Sequence, residues 1–138
     1  KGGSSGALTA LGLAASYPKI RGCVSYYGVM DLLALSQDTH KFERYYLDSL
    51  LGPLAKYPDR YVERSPLHKA SQISCPVLLF HGDRDKVVPL SQSEEFCKKA
   101  LHAELIICKE EGHGFKKAET LSMCYQKELQ FFQSLLLH

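Results

Sequence analysis

Gly2-Gly3-Ser4-Ser5-Gly6 stands at the head of the chain, and small and aliphatic residues follow it as far as Ser16. The pentapeptide fits Gly-x-Ser-x-Gly, a pattern that places a serine on a sharp, strained turn between a strand and a helix. Small neighbours let such a turn close and push the serine hydroxyl outwards. Ser4 is therefore the candidate nucleophile. Ser5 would open the helix, so its backbone N–H points towards whatever the serine attacks and is one candidate oxyanion donor.

The rest of the chain reads as alternating helices and strands. Leu8, Leu11 and Ala15 recur at helical spacing, and Tyr17-Pro18 ends that helix. Ile20 to Tyr27 is an expected strand closing at Gly28, and Asp31 is a fair N-cap for a helical turn through Leu35. A looser helical stretch runs from Thr39 to Leu51, broken by Gly52-Pro53, and a short helix is expected from Pro66 to Ser71. Pro76-Val77-Leu78-Leu79-Phe80 is continuously apolar, as in a strand of a parallel sheet covered on both faces. A helix from Pro89 to about Leu101 and a strand over Leu105–Cys108 follow. Leu121, Tyr125, Leu129, Phe132 and Leu136 then form one stripe of an amphipathic C-terminal helix. This alternation predicts an α/β fold with parallel sheet strands flanked by helices.

In open α/β sheets reactive groups collect beyond the carboxyl ends of the strands. One such end carries His81-Gly82-Asp83-Arg84-Asp85-Lys86-Val87-Val88-Pro89, and the next carries Glu110-Glu111-Gly112-His113-Gly114-Phe115. The order serine, aspartate, histidine is that of the α/β-hydrolase triad. His113, between two glycines, suits a base that must reach across to Ser4. Asp83 and Asp85 are equal candidates for the acid. His81 reads as a structural hydrogen-bonding residue of the turn, and His40, His68, His102 and His138 as solvated. No two histidines share metal-ligand spacing on one element, so no metal is expected, and the triad chemistry needs no cofactor.

Composition narrows the class. The 138 residues form one expected domain, with ordinary globular proportions of 45% hydrophobic and 23% charged residues. A net charge of +2 with interspersed signs points away from nucleic acid and anionic membranes, and no apolar run approaches the ~20 residues of a membrane span. Five scattered cysteines, mostly in apolar segments, suggest reduced thiols and a cytoplasmic setting.

These residues together resemble the prolyl oligopeptidase family of serine peptidases, nearest its acylaminoacyl-peptidase and dipeptidyl-peptidase branches. The motifs are Gly2 to Gly6, Ser25-Tyr26-Tyr27-Gly28-Val29-Met30-Asp31-Leu32, Thr39-His40-Lys41-Phe42-Glu43, Tyr46-Leu47-Asp48, Arg64-Ser65-Pro66, His81-Gly82 to Asp85, Val88-Pro89 and Glu111 to Phe115. The resemblance implies that Asp85 is the triad acid, and that Val24, Tyr27 and Val88 line the pocket beside the scissile bond. Ala7 stands where many relatives have a second glycine, and Arg44-Tyr45 replaces a usual small-residue and arginine order.

The resemblance also implies that the chain is the C-terminal portion of an α/β-hydrolase catalytic domain. The upstream strands, the second oxyanion donor and an upstream gating domain would then belong to the parent protein. The Gly22–Tyr27 strand would lie at a sheet edge, and the piece alone would be inactive or poorly folded. The expected function is a serine peptidase acting on short peptides through an acyl-enzyme on Ser4. The alternatives are a carboxylesterase-type hydrolase with the same triad, or a truncated interaction module. The expected partner is a peptide substrate, with room for a homo-oligomer.

Overall fold

The computed structural model describes residues 1–38 and 41–137, with the backbone alone described for 41–44. Four strands, β1 (Gly2–Gly3), β2 (Cys23–Tyr26), β3 (Val77–Gly82) and β4 (Ala103–Cys108), form one parallel sheet in the order β1-β2-β3-β4. Helices α1 (Ser5–Ser16), α2 (Leu32–Asp38), α3 (Lys41–Leu51), α4 (Pro58–Glu63), α5 (Ser91–Lys99) and α6 (Ala118–Leu136) connect and cover it, with a 3-10 turn over Pro66–Gln72. The Thr39-His40 part of the family motif and His138 lie outside the described residues.

The two faces of β3 explain its unbroken apolar run. Val77 and Leu79 pack with Leu11, Ala14 and Phe96 under α1 and α5. Leu78 and Phe80 pack with Val24, Cys108 and Cys124 under α6 on the other face. A third cluster, with Leu32, Leu35, Leu47, Leu51 and Tyr61 around Val88, gathers α2, α3 and α4. Asp31 caps α2, its Oδ1 accepting the Leu33 and Ala34 amides at 3.0 and 3.3 Å.

Several elements depart from the sequence reading. β2 is not an edge, because Gly2 and Gly3 pair with Ser25 and Tyr26 as a two-residue strand feeding the turn at Ser4. β3 continues through His81 and Gly82, since their backbone still pairs with Ile107 and Cys108. A further helix, α4, lies between the predicted break at Gly52-Pro53 and the turn at Pro66, and Pro58 opens it at a position where its missing N–H costs nothing.

The predicted stripe of α6 divides: Phe132 packs against the core and Leu121 is half-buried, but Tyr125, Leu129 and Leu136 are exposed, and Thr120, Cys124 and Glu128 are buried in their stead. Glu128 can face inwards because the Tyr26 hydroxyl and Lys1 Nζ each donate to its carboxylate at 2.6 Å. That pairing removes the penalty of burying a charge, and Cys124 seats against Cys108 with sulfurs 3.9 Å apart.

Candidate active site

Ser4 sits between β1 and α1 with φ of 53°, a backbone conformation that costs a non-glycine residue roughly 1–3 kcal/mol. The strain is held by the Ser4 amide donating to Tyr26 O at 2.9 Å, and by Ser4 O accepting from Ala7 and Val29 amides at 3.1 and 3.3 Å. Gly2 is required here, because a Cβ on it would stand 2.1 Å from Gly6 O. Ser5 is the first residue of α1, so its amide has no helical acceptor and is free to serve a ligand.

Three strand ends converge on one hydrogen-bonded chain. Ser4 Oγ lies 3.0 Å from His113 Nε2, and His113 Nδ1 lies 2.9 Å from Asp85 Oδ2. An ionised carboxylate only accepts, so Nδ1 carries the ring proton and Nε2 is left to accept from the serine hydroxyl. Such a chain lets the imidazole take a proton from the hydroxyl while the carboxylate steadies the resulting cation. Burial would raise the Asp85 pKa, but bonds from His81, the Val88 amide, His113 and the Val87 amide outweigh it and hold the carboxyl below its usual range.

The choice between the two aspartates follows from the loop's path. Asp85 Oδ1 accepts the Val87 and Val88 amides, both at 2.9 Å, which turns its other oxygen towards His113. Asp83 instead accepts the Glu110 amide at 2.7 Å and stands 3.6 Å from Lys109 Nζ, tying the aspartate and histidine loops together. The two loops also touch through backbone at Gly82, where a Cβ would stand 2.2 Å from Glu111 O.

Glu111 anchors the histidine loop in a way the sequence reading missed. Its buried carboxylate accepts the Lys116 and Lys117 amides at 3.0 and 2.9 Å, joining the loop to the start of α6. Burial alone would raise its pKa, yet these amides, Thr120 and Lys117 bring it below the usual carboxylate value.

The three expected pocket residues separate. Val88 lines a cleft of about 480 Å³ that begins at Ser4 and continues over Leu8, Val29, Leu32 and Leu35. Among the described residues, Arg64 is the one charged side chain on its wall. Tyr27, with φ of 40°, lies on the other side, its ring edge-on to His113 and Phe115 at centroid distances of 4.9 and 5.2 Å. Val24 is fully buried with Leu78, Phe80, Cys108 and Cys124; it belongs to the core and not to the cleft, because its side chain faces α6. His68 and His102 are exposed, and His81 is fully enclosed.

The model of the prolyl oligopeptidase family matches residues 1–138. The chain belongs to the prolyl oligopeptidase family. A Mycobacterium tuberculosis puromycin-hydrolyzing peptidase superposes with a TM-score of 0.92 at 39% identity, over 98% of this chain and 21% of that one. A peptidase of Bacillus subtilis strain 168, described as uncharacterized, is 33% identical over 96 residues, 67% of this chain and 35% of that protein. The uncomplexed Pyrococcus horikoshii acylaminoacyl peptidase, at 22% identity and a TM-score of 0.73 over 80% of this chain and 19% of its own, shares the fold. The chain thus spans about a fifth of these solved structures and about a third of the curated relative. Its sheet and helices are a portion of the α/β-hydrolase fold found in this family of peptidases.

Proposed function

We propose that these residues supply the nucleophile, base and acid of a serine peptidase that cleaves short peptides beside an apolar side chain. The observation that carries the proposal is the unbroken path from Ser4 Oγ through His113 to Asp85, at 3.0 and 2.9 Å. Ser4 Oγ attacks the scissile carbonyl carbon as its proton passes to His113 Nε2. The imidazolium is held by Asp85, and the oxyanion accepts from the Ser5 N–H. Collapse of the tetrahedral intermediate breaks the C–N bond, and the amine leaves with the proton from Nε2. Water repeats the sequence on the acyl-enzyme and frees Ser4.

The apolar wall of the cleft, formed in part by Leu8, Leu32, Leu35 and Val88, supports an apolar residue at the acyl side of the cleaved bond. The second oxyanion donor and the remaining substrate contacts, in this proposal, come from outside these residues, so the 138 residues alone turn over little substrate. Five free thiols, four of them buried, favour a reducing compartment such as the cytoplasm. No helix among the described residues is long and apolar enough to cross a membrane.

The test is labelling of the full-length protein by a fluorophosphonate probe, with Ser4→Ala as control, followed by peptide, puromycin and ester panels. Labelling lost in the control, with peptide turnover, is the expected result. Ester turnover alone would make the protein a carboxylesterase. Absence of labelling would leave the chain an interaction module.

A further inference from the structure

Among the described residues His81 is the one fully buried histidine, and it lies within β3 in place of the aliphatic residues before it. Val77, Leu79 and His81 share one face by the alternation of a strand, which directs the imidazole towards α5. A buried imidazole is costly unless both nitrogens are paired. Nδ1 lies 2.7 Å from Ser93 Oγ on α5, and Nε2 lies 2.9 Å from Val88 O.

These partners fix the tautomer. A carbonyl only accepts, so the hydrogen is on Nε2, and Nδ1 accepts from the Ser93 hydroxyl. Nε2 also stands 3.4 Å from Asp85 Oδ2, with both side chains at 0% exposure. That is the oxygen that accepts from His113 Nδ1 at 2.9 Å. Two imidazoles therefore converge on one carboxylate oxygen, His113 from the side of Ser4 and His81 from inside the sheet. The other oxygen is filled by the Val87 and Val88 amides. Val88 is gripped twice, its N–H by Asp85 and its C=O by His81.

We infer that His81 is a positioning residue: its Nε2–H, set by the Val88 carbonyl on a ring anchored by Ser93 and shared between Val88 O and Asp85 Oδ2, fixes the rotation of the Asp85 carboxylate and thereby the His113 ring. The inference rests on the triad reading above. Without His81, Val88 O loses its partner and the carboxylate loses the contact that closes its inner side. Asp85 can then turn, and the hydrogen bond to His113 Nδ1 lengthens. A glutamine at 81 can place an amide N–H near the position of Nε2, whereas a leucine offers no donor.

The experiment compares wild type, His81→Leu, His81→Gln and Ser93→Ala in the full-length protein. It reads the saturation kinetics of fluorophosphonate labelling and the downfield proton resonance of His113 Nδ1–H. His81→Leu should lower the limiting labelling rate about 10- to 100-fold, the loss expected from slight misplacement of a reacting group, with half-saturation unchanged. Its His113 resonance should move upfield. His81→Gln should label within about threefold of wild type. Ser93→Ala keeps the ring and its Nε2–H, which Val88 O still requires, but removes the α5 partner of Nδ1 that seats the ring, and should slow labelling several-fold.

Equal labelling and an unmoved resonance in a folded His81→Leu variant would overturn the inference, as would equal losses in the leucine and glutamine variants. If His81→Leu does not fold, an unchanged rate in Ser93→Ala overturns it. A wild-type protein that does not label removes the triad reading and this inference with it, whereas a labelling wild type with insensitive His81 variants removes this inference alone.

Discussion

Gly82 and Glu111 meet backbone to backbone, so close that a Cβ at position 82 would stand 2.2 Å from the Glu111 carbonyl oxygen. The contact brings the loop bearing Asp85 against the loop bearing His113. Gly82→Ala should force those loops apart, destabilise the fold by about 1–3 kcal/mol and slow fluorophosphonate labelling at least ~10-fold. Denaturation midpoints and labelling rates on the same preparations check both effects. A variant that matches wild type in both would show that the loops tolerate separation.

Asp85→Asn should preserve the fold and lower turnover by roughly 10³–10⁴-fold. The two backbone amides of Val87 and Val88 still find an acceptor in the asparagine carbonyl. The asparagine amide, however, donates towards His113 Nδ1. The ring proton is then driven to Nε2, where it blocks acceptance from Ser4. Steady-state kinetics and a thermal midpoint within a few degrees of wild type check the separation of chemistry from stability.

Acid should weaken the fold through Glu111 and Asp85, whose carboxyls are both held below their ordinary values of 4.5 and 3.8. A carboxyl depressed on folding adds stability that is fully present above its unfolded pKa and is lost as pH falls through its folded one. The thermal midpoint should therefore be level above about pH 5 and fall as pH drops below about 4. Glu111→Gln should lower the midpoint at neutral pH and flatten its acid dependence. An equally steep dependence in the variant would count against Glu111 as the group responsible.

Val87 lines the cleft and is 38% exposed, so a larger side chain there can be accommodated without entering the core. Val87→Trp should raise KM about 10-fold for peptides with a large apolar residue at the cleaved bond. Substrates with alanine at that position should keep their KM, and kcat for them should change little. Kinetics on a matched pair of peptides reads the difference.

Much of this architecture was open to sequence reasoning because β3 and α1 are consistent at every level. Val77 to Phe80 are apolar on both faces, and both faces are covered. Ser4 and His113 could be picked out because the glycines around them mark turns. The choice of Asp85 over Asp83 needed the resemblance, since it depends on two amide bonds that curl the loop back. The inner face of α6 was misread because periodicity ranks Leu129 above Glu128, and only the Tyr26 hydroxyl and Lys1 make the glutamate the better buried residue. His81 looked like a turn residue because β3 outlasts its apolar run, and its contact with Asp85 depends on the fold of the following loop.

The partners Ser4 and His113 are 109 positions apart in the chain. At a synthesis rate of about 5–20 residues per second, roughly 5–20 s pass between the ribosome's addition of Ser4 and of His113. For that interval the serine hydroxyl lacks the imidazole that it meets in the folded structure. On the proposed function, reactivity is thus withheld from the nascent chain until β4 has docked on β3 and brought His113 to Ser4.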